Sequence, residues 1–85
     1  MIKARVLAVL SASGVRLPDL EVKTGISRYT WANLKNPAKA REIKAAEIEA
    51  VVALWPCFAL WIVSGQTAPA AGQIAPDLKE PAPCN

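Results

Sequence analysis

Histidine is absent from this 85-residue sequence, and its two cysteines, Cys57 and Cys84, stand far apart. Histidine is a common general base and zinc ligand, and isolated cysteines do not form the spaced pairs of zinc sites or disulfide-rich domains. A single domain of this length has room for a small helical core but not for a large catalytic cleft. We therefore expect a binding module rather than an enzyme, with no metal and no cofactor. We also expect Cys57 to be a buried, reduced thiol in a cytoplasmic protein.

Long hydrophobic runs are also missing. The longest, residues 50–63 (AVVALWPCFALWIV), is interrupted by Pro56 and closely follows Glu47 and Glu49. A transmembrane helix needs about 20 apolar residues, so this shorter run predicts two buried helices in a hairpin and no membrane partner. The first helix is amphipathic and has no signal-peptide cleavage site after an apolar core. No segment of the chain has the pattern of a convincing strand.

Charge is distributed unevenly along the chain. Residues 1–44 carry nine Lys or Arg and three Asp or Glu, whereas residues 45–85 carry one lysine and four acidic residues. The basic first half suggests a surface for a polyanion, and the acidic second half suggests a different task. Ordinary surface solvation produces the same pattern, so charge alone does not separate the two interpretations.

Apolar periodicity and helix breakers predict two helices in the first 25 residues. Apolar side chains recur at helical spacing from position 2 to position 10, and Gly14 ends that first helix. A second, short helix begins near Pro18, which suits a first helical position, and ends at Gly25. Glycine there allows a turn with a left-handed backbone.

A third helix has one apolar face and one polar face. Ser27 is its predicted N-cap, and Pro37 forces its end at the preceding residue. Helical spacing places Trp31 and Leu34 on the inner face. The opposite face carries polar side chains that can form hydrogen bonds, namely Tyr29, Asn33 and Asn36.

Two further helices and a tail complete the predicted all-α fold. The fourth helix runs from about Lys39 to Leu54, Pro56 interrupts the chain, and the fifth runs from Cys57 to Ser64. Residues 1–65 then form one compact bundle of about five helices. Residues 66–85 are rich in proline and alanine, and we expect them to be an extended arm or disordered.

The segment LPDLEVKTGISRYTWANLKN, residues 17–36, resembles the helix-turn-helix of the Cro and lambda-repressor superfamily. Members often read Gly, then Val or Ile, then Ser-Arg at the turn, as do Gly25, Ile26, Ser27 and Arg28 here. The chain departs from the pattern at Glu21, where the family usually has a small residue, and at positions 17 and 18, where a polar residue usually opens the helix. The resemblance covers about residues 1–64 and implies a DNA-binding protein.

A second similarity lies downstream of that segment. Residues 53–76, ALWPCFALWIVSGQTAPAAGQIAP, look like the C-terminal portion of small helix-turn-helix proteins of temperate phages and prophages. Those proteins have an aromatic helix, a Ser-Gly or Thr-Gly stop and an Ala-Pro-rich segment. The similarity favours a regulator of the phage or prophage type. Because no separate activation surface or ligand domain is visible in the sequence, we expect a repressor rather than an activator.

The third helix supplies the candidate DNA-binding residues. An α-helix fits the major groove of double-stranded DNA, where asparagine can pair with adenine and arginine with guanine. We therefore predict Arg28 and Asn33 as base readers, Tyr29 as a contact to a base or phosphate, and Ala32 as a point of close approach. Ser27 and Asn36 complete the face, and the expected phosphate contacts are Lys35, Lys39 and Arg41.

The aromatic second half of the chain predicts a protein interface. Core packing is the better interpretation of the three tryptophans than base stacking. Helices four and five nevertheless have more apolar surface than so small a domain readily hides. We expect a homodimer, paired through Phe58, Trp61 and Ile62. The alternative is a phage-encoded interaction module that has the same fold and binds and inhibits a host protein.

Overall fold

The chain folds into helices that pack around one core. In the computed structural model, which describes residues 1–76, the α-helices are α1 (Ile2–Ser13), α2 (Leu17–Thr24), α3 (Arg28–Lys35), α4 (Ala45–Leu54) and α5 (Ala59–Ser64). Two 3₁₀ turns, Pro56–Phe58 and Pro69–Ala71, follow α4 and α5. Extended pairing within residues 1–76 is limited to an isolated bridge between Ala68 and Gln73. The predicted all-α class with five helices is confirmed.

The helix boundaries in the first half follow local sequence signals. Proline stands in the first turn of α2, where its missing N–H costs no hydrogen bond. Gly25 has a φ of 74° and ends α2, and its N–H donates to the Glu21 carbonyl. Ser27 caps α3, which ends before Asn36 and Pro37. The four predicted boundaries are therefore confirmed to within one residue.

The core is assembled from every helix. The α1 helix packs on α5, and α2 packs on both α3 and α4. The tryptophan of α3, Trp31, is fully buried at the centre, while Trp55 and Trp61 are half-buried against the same core. The buried apolar side chains are Val6, Val9, Leu10, Leu20, Trp31, Leu34, Val51, Phe58 and Ile62.

The fourth helix begins later than predicted. It starts at Ala45, because the preceding residues form a turn and an extended connection rather than helix. Asn36 Oδ1 accepts a hydrogen bond from the Ala38 N–H at 2.9 Å, and Ala40 has a positive φ of 47°. A non-glycine residue in that left-handed region does not continue a helix. Residues 37–44 are therefore a shaped connection between α3 and α4.

The described chain beyond α5, residues 65–76, folds back on the body of the protein. Ala68 and Gln73 exchange two backbone hydrogen bonds, and the Ile74 N–H donates to the Cys57 carbonyl at 2.9 Å. Gln73 Oε1 also accepts from the Leu60 N–H at 2.9 Å. The prediction of an extended or disordered tail is wrong for residues 66–76, which fold back on the start of α5. The remainder of the predicted tail, residues 77–85, lies outside the described residues.

Two other expectations concern compartment and membrane. Cys57 is half-buried and disulfide-bonded, so the prediction of a buried, reduced thiol is wrong, and it no longer argues for a reducing compartment. Within residues 1–76 no single helix has the length and hydropathy to span a bilayer. Taken together, α4 and the segment 56–64 would have both, but they are bent by 117°.

Candidate nucleic-acid interface

The unit formed by α2, the turn and α3, here called the α2–α3 unit (residues 17–35), is held together at the turn by one hydroxyl. Thr24 Oγ1 donates to the Leu20 carbonyl at 2.7 Å. It also accepts from the Ile26 N–H at 3.1 Å and from Trp31 Nε1 at 3.3 Å. A single side chain therefore ties the end of α2 to the turn and to the buried ring of α3. The sequence alone does not indicate this role, because threonine near a helix end is common.

The third helix has a buried inner face and a polar, exposed outer face. Trp31 and Leu34 are buried, which fixes the rotation of α3 about its axis. Asn33 is exposed on the other side, and its side chain makes no hydrogen bond within residues 1–76. Tyr29 is 75% exposed, and Ala32 is half-buried beside this surface. The predicted division of α3 into a buried and a presented face is thus what the structure shows.

Ser27 acts at the start of this face. Its side chain accepts a hydrogen bond from the Tyr29 N–H at 3.1 Å, as an N-cap does. The capped end of α3 and the first exposed side chains of the face are thereby fixed together. The N-terminal end of a helix also carries partial positive charge, which favours a nearby phosphate.

Arg28 leaves the first turn of α3 and pairs with α2. Its Nε donates to Glu21 Oε1 at 2.7 Å, and both side chains remain partly exposed, at 46% and 34%. This hydrogen bond lowers the pKa of Glu21, which is therefore ionised at neutral pH. The departure from the family pattern at Glu21 is thus explained by a charged partner across the turn.

Arg41 is not available as a phosphate contact. Its Nη1 donates to the Glu42 carbonyl and Glu47 Oε1, and its Nη2 donates to the Thr30 carbonyl and Glu47 Oε2. Glu47 is only 2% exposed. Burial alone would raise the pKa of Glu47, but hydrogen bonds from Arg41 and from the Lys44 amide hold it below its usual value. Arg41 is therefore a structural residue that joins the connection 37–44 to α3 and α4, and its predicted DNA contact is corrected.

The remaining predicted phosphate contacts lie at the end of α3 and just beyond it. Lys35 and Lys39 are both exposed. The Asn36 carbonyl accepts from the Lys39 N–H at 3.1 Å, and its side chain accepts from the Ala38 N–H. Asn36 is exposed and shapes the turn that carries Lys39, so its side-chain oxygen is already engaged. The two lysines extend the polar face of α3 with positive charge.

An open groove elsewhere on the molecule is a weaker candidate for binding an anion. Its basic lining residues are Lys3, Arg5 and Arg41. Lys3 Nζ donates to the Arg41 carbonyl, and Arg5 Nε donates to the Ile62 carbonyl at 2.8 Å. Because these cations already cap main-chain oxygens or pair with Glu47, the outer face of α3 is the better site for a polyanion.

The predicted dimer contacts fall largely inside the protein. Phe58 is 1% exposed and Ile62 is fully buried, so neither can contact a partner as predicted. Trp61 is half-buried against the core. The side chain of Val63, also on α5, is 53% exposed and offers apolar surface. Any interface on α5 would therefore use Trp61 and Val63.

Comparison with known proteins gives one informative match. No family model matches the sequence, and no curated protein matches it. The fold is similar to the structure of Pf6r from the filamentous phage Pf6 of Pseudomonas aeruginosa PA01, with a TM-score of 0.79 and 28% sequence identity. The match covers 91% of this chain and 96% of that chain, so the likeness extends over most of the fold.

Proposed function

We propose that the protein binds double-stranded DNA sequence-specifically through the outer face of α3, as a transcriptional regulator of the phage type. The observation that carries this proposal is the division of α3. Trp31 and Leu34 anchor it in the core, while Tyr29 and Asn33 project from the opposite side. A helix supported in this way can enter the major groove without leaving its core contacts.

Groove chemistry assigns a role to each part of this face. The amide of Asn33 can pair bidentately with adenine, and the guanidinium of Arg28 can do so with guanine. Lys35 and Lys39, at the end of α3, supply phosphate contacts that add affinity without sequence information. The Cro-like pattern at residues 25–28 supports the same orientation of α3 in the groove.

A role in regulation is supported by the match to a filamentous phage protein. It is also supported by the similarity of residues 53–76 to the C-terminal portion of small phage helix-turn-helix proteins. The proposed mechanism is repression by occupancy: a protein bound at an operator excludes other proteins from the same DNA. Such an activity would place the protein in the bacterial cytoplasm, where the DNA lies.

A second copy of the chain would double the base pairs read. We expect pairing through the exposed side of α5, where Trp61 and Val63 offer apolar surface, so that both α3 helices remain free. Val63→Glu should yield a folded monomer in sedimentation experiments. Ala53→Glu, which adds the same charge at an exposed position of α4, is the matched control. A Val63→Glu protein that still sediments as a dimer would rule out this interface.

The direct test is selection of bound duplexes from random DNA with the purified full-length chain. We expect enrichment of a consensus with two related half-sites, and loss of that enrichment with Asn33→Ala. Circular dichroism checks that the variant keeps its helices. A selection in which the wild-type protein enriches no sequence above background would refute the proposal.

The second candidate function is binding to a host protein. It is favoured by Val22, which is 83% exposed on α2, and by Tyr29 on α3, because large apolar and aromatic side chains suit protein interfaces. In this case crosslinking in host extract should capture a protein, and Val22→Glu should abolish the capture. DNA selection with the wild-type protein should then enrich nothing.

A further inference from the structure

The ion pair between Glu21 and Arg28 connects α2 and α3 on the proposed DNA-binding face. The two residues are seven positions apart, on either side of the turn at Gly25, and their side chains share one hydrogen bond of 2.7 Å between Nε and Oε1. The backbone N–H of Arg28 also helps to lower the pKa of Glu21. Both side chains are partly exposed, and exposed ion pairs contribute little to folding stability. A glutamate beside the proposed DNA-binding face, where it would repel phosphates, is therefore expected to have a role other than stabilising the fold.

The nitrogen that Arg28 uses is informative. A guanidinium has five N–H donors, one on Nε and four on the two terminal nitrogens. The bond to Glu21 uses Nε alone, so the terminal nitrogens have no hydrogen-bond partner within residues 1–76. Those terminal donors form the fork that pairs with O6 and N7 of guanine. Arg41 is the internal contrast, because both of its terminal nitrogens are bonded within the protein.

Holding Arg28 in place before binding changes the cost of recognition. A free arginine side chain samples many rotamers, and ordering it on DNA opposes binding. The bond to Glu21 removes part of that freedom in the unbound protein. The same carboxylate repels phosphates, so it lowers affinity for DNA of any sequence. One residue is therefore expected to raise discrimination and to lower nonspecific binding.

From this geometry, and on the basis of the proposed DNA binding, we infer that Glu21 is a positioning residue that aims the fork of Arg28 at a guanine. The pair then specifies a G·C base pair at one position in each half-site. Glu21 itself need not contact DNA. Replacing it should change base preference through Arg28 alone.

The experiment compares wild-type protein with Glu21→Ala, Glu21→Gln, Arg28→Ala and the Glu21→Ala/Arg28→Ala double variant. For each, the selected site, its single-base variants and an unrelated duplex are titrated. We expect wild type to prefer G·C at one position by about 5- to 150-fold, the range of a bidentate contact. Glu21→Ala should lose most of this preference while binding the unrelated duplex more tightly. Glu21→Gln, whose amide oxygen can still accept from Nε, should retain part of the preference.

The double variant provides the decisive arm. If Glu21 acts through Arg28, removing Glu21 in the Arg28→Ala background leaves base preference unchanged and only raises nonspecific affinity. Unchanged preference in Glu21→Ala, with higher affinity for all duplexes, would overturn the inference and leave DNA binding intact. Absence of any selected site for the wild-type protein would instead refute the proposed function. The two failures are thus distinguishable.

Discussion

Two arginine–glutamate pairs in this molecule have the same chemistry and different surroundings. Glu47 is buried, and both terminal nitrogens of Arg41 are bonded to it and to main-chain carbonyls. The side chains of Glu21 and Arg28 are partly exposed and share one hydrogen bond, through Nε. The first pair is shielded from water and holds the fold, whereas in the second the terminal nitrogens of Arg28 lie at the surface without a partner among residues 1–76. The difference separates groups that hold the fold from groups available to a ligand.

The largest effect expected from this contrast is on stability. Arg41→Ala leaves the buried carboxylate of Glu47 without its cation, and breaking a buried pair in this way costs about 3 to 5 kcal/mol of unfolding free energy. Urea denaturation followed by circular dichroism measures it. Arg28→Ala is the matched control and should leave the urea midpoint almost unchanged. Equal effects of the two substitutions would contradict the distinction between the pairs.

Acid should reveal the same contrast. The folded-state pKa of Glu47 lies below its ordinary value of 4.5, so the stability it contributes is fully present above that pH. This contribution is lost as the pH falls through the lowered pKa. We expect unfolding free energy to decline below pH 4.5, and Glu47→Gln to be less stable at neutral pH and to decline less steeply. Glu21→Gln, at the exposed pair, should follow the wild-type curve closely. A flattened curve for this variant would show that the acid sensitivity comes from the exposed pair and would contradict the prediction.

On the outer face of α3, the Asn33 side chain has no hydrogen-bond partner within residues 1–76. Its replacement therefore tests function without disturbing the fold. Asn33→Ala should weaken binding to the selected operator by about 1 to 3 kcal/mol if its contact is bidentate. Affinity for unrelated DNA should not change. Fluorescence anisotropy with both duplexes measures the difference. Equal loss on both duplexes would make Asn33 a backbone contact instead.

The parts of the fold and of the candidate site that could be predicted from the sequence are those that depend on local patterns. The turn at Gly25, the cap at Ser27 and the two faces of α3 follow from local chemistry and helical spacing. The run AVVALWPCFALWIV carries no such signal: every residue in it is apolar, so spacing could not show that Phe58 and Ile62 face inward. The bonds from Arg41 to Glu47 and Thr30 also escaped prediction, because they depend on the path of the connection 37–44.

The smallest expected effect concerns Lys39, which the turn at Asn36 presents beyond the end of α3. If it contacts a phosphate, Lys39→Ala should weaken binding to all duplexes by a similar factor, because phosphates are alike at every sequence. The slope of log affinity against log salt should fall in magnitude by about 1. Lys39→Arg keeps the charge and should preserve the slope. A change of base preference in either variant would place Lys39 with Arg28 and Asn33 among the base readers, and would extend the reading face past the helix itself.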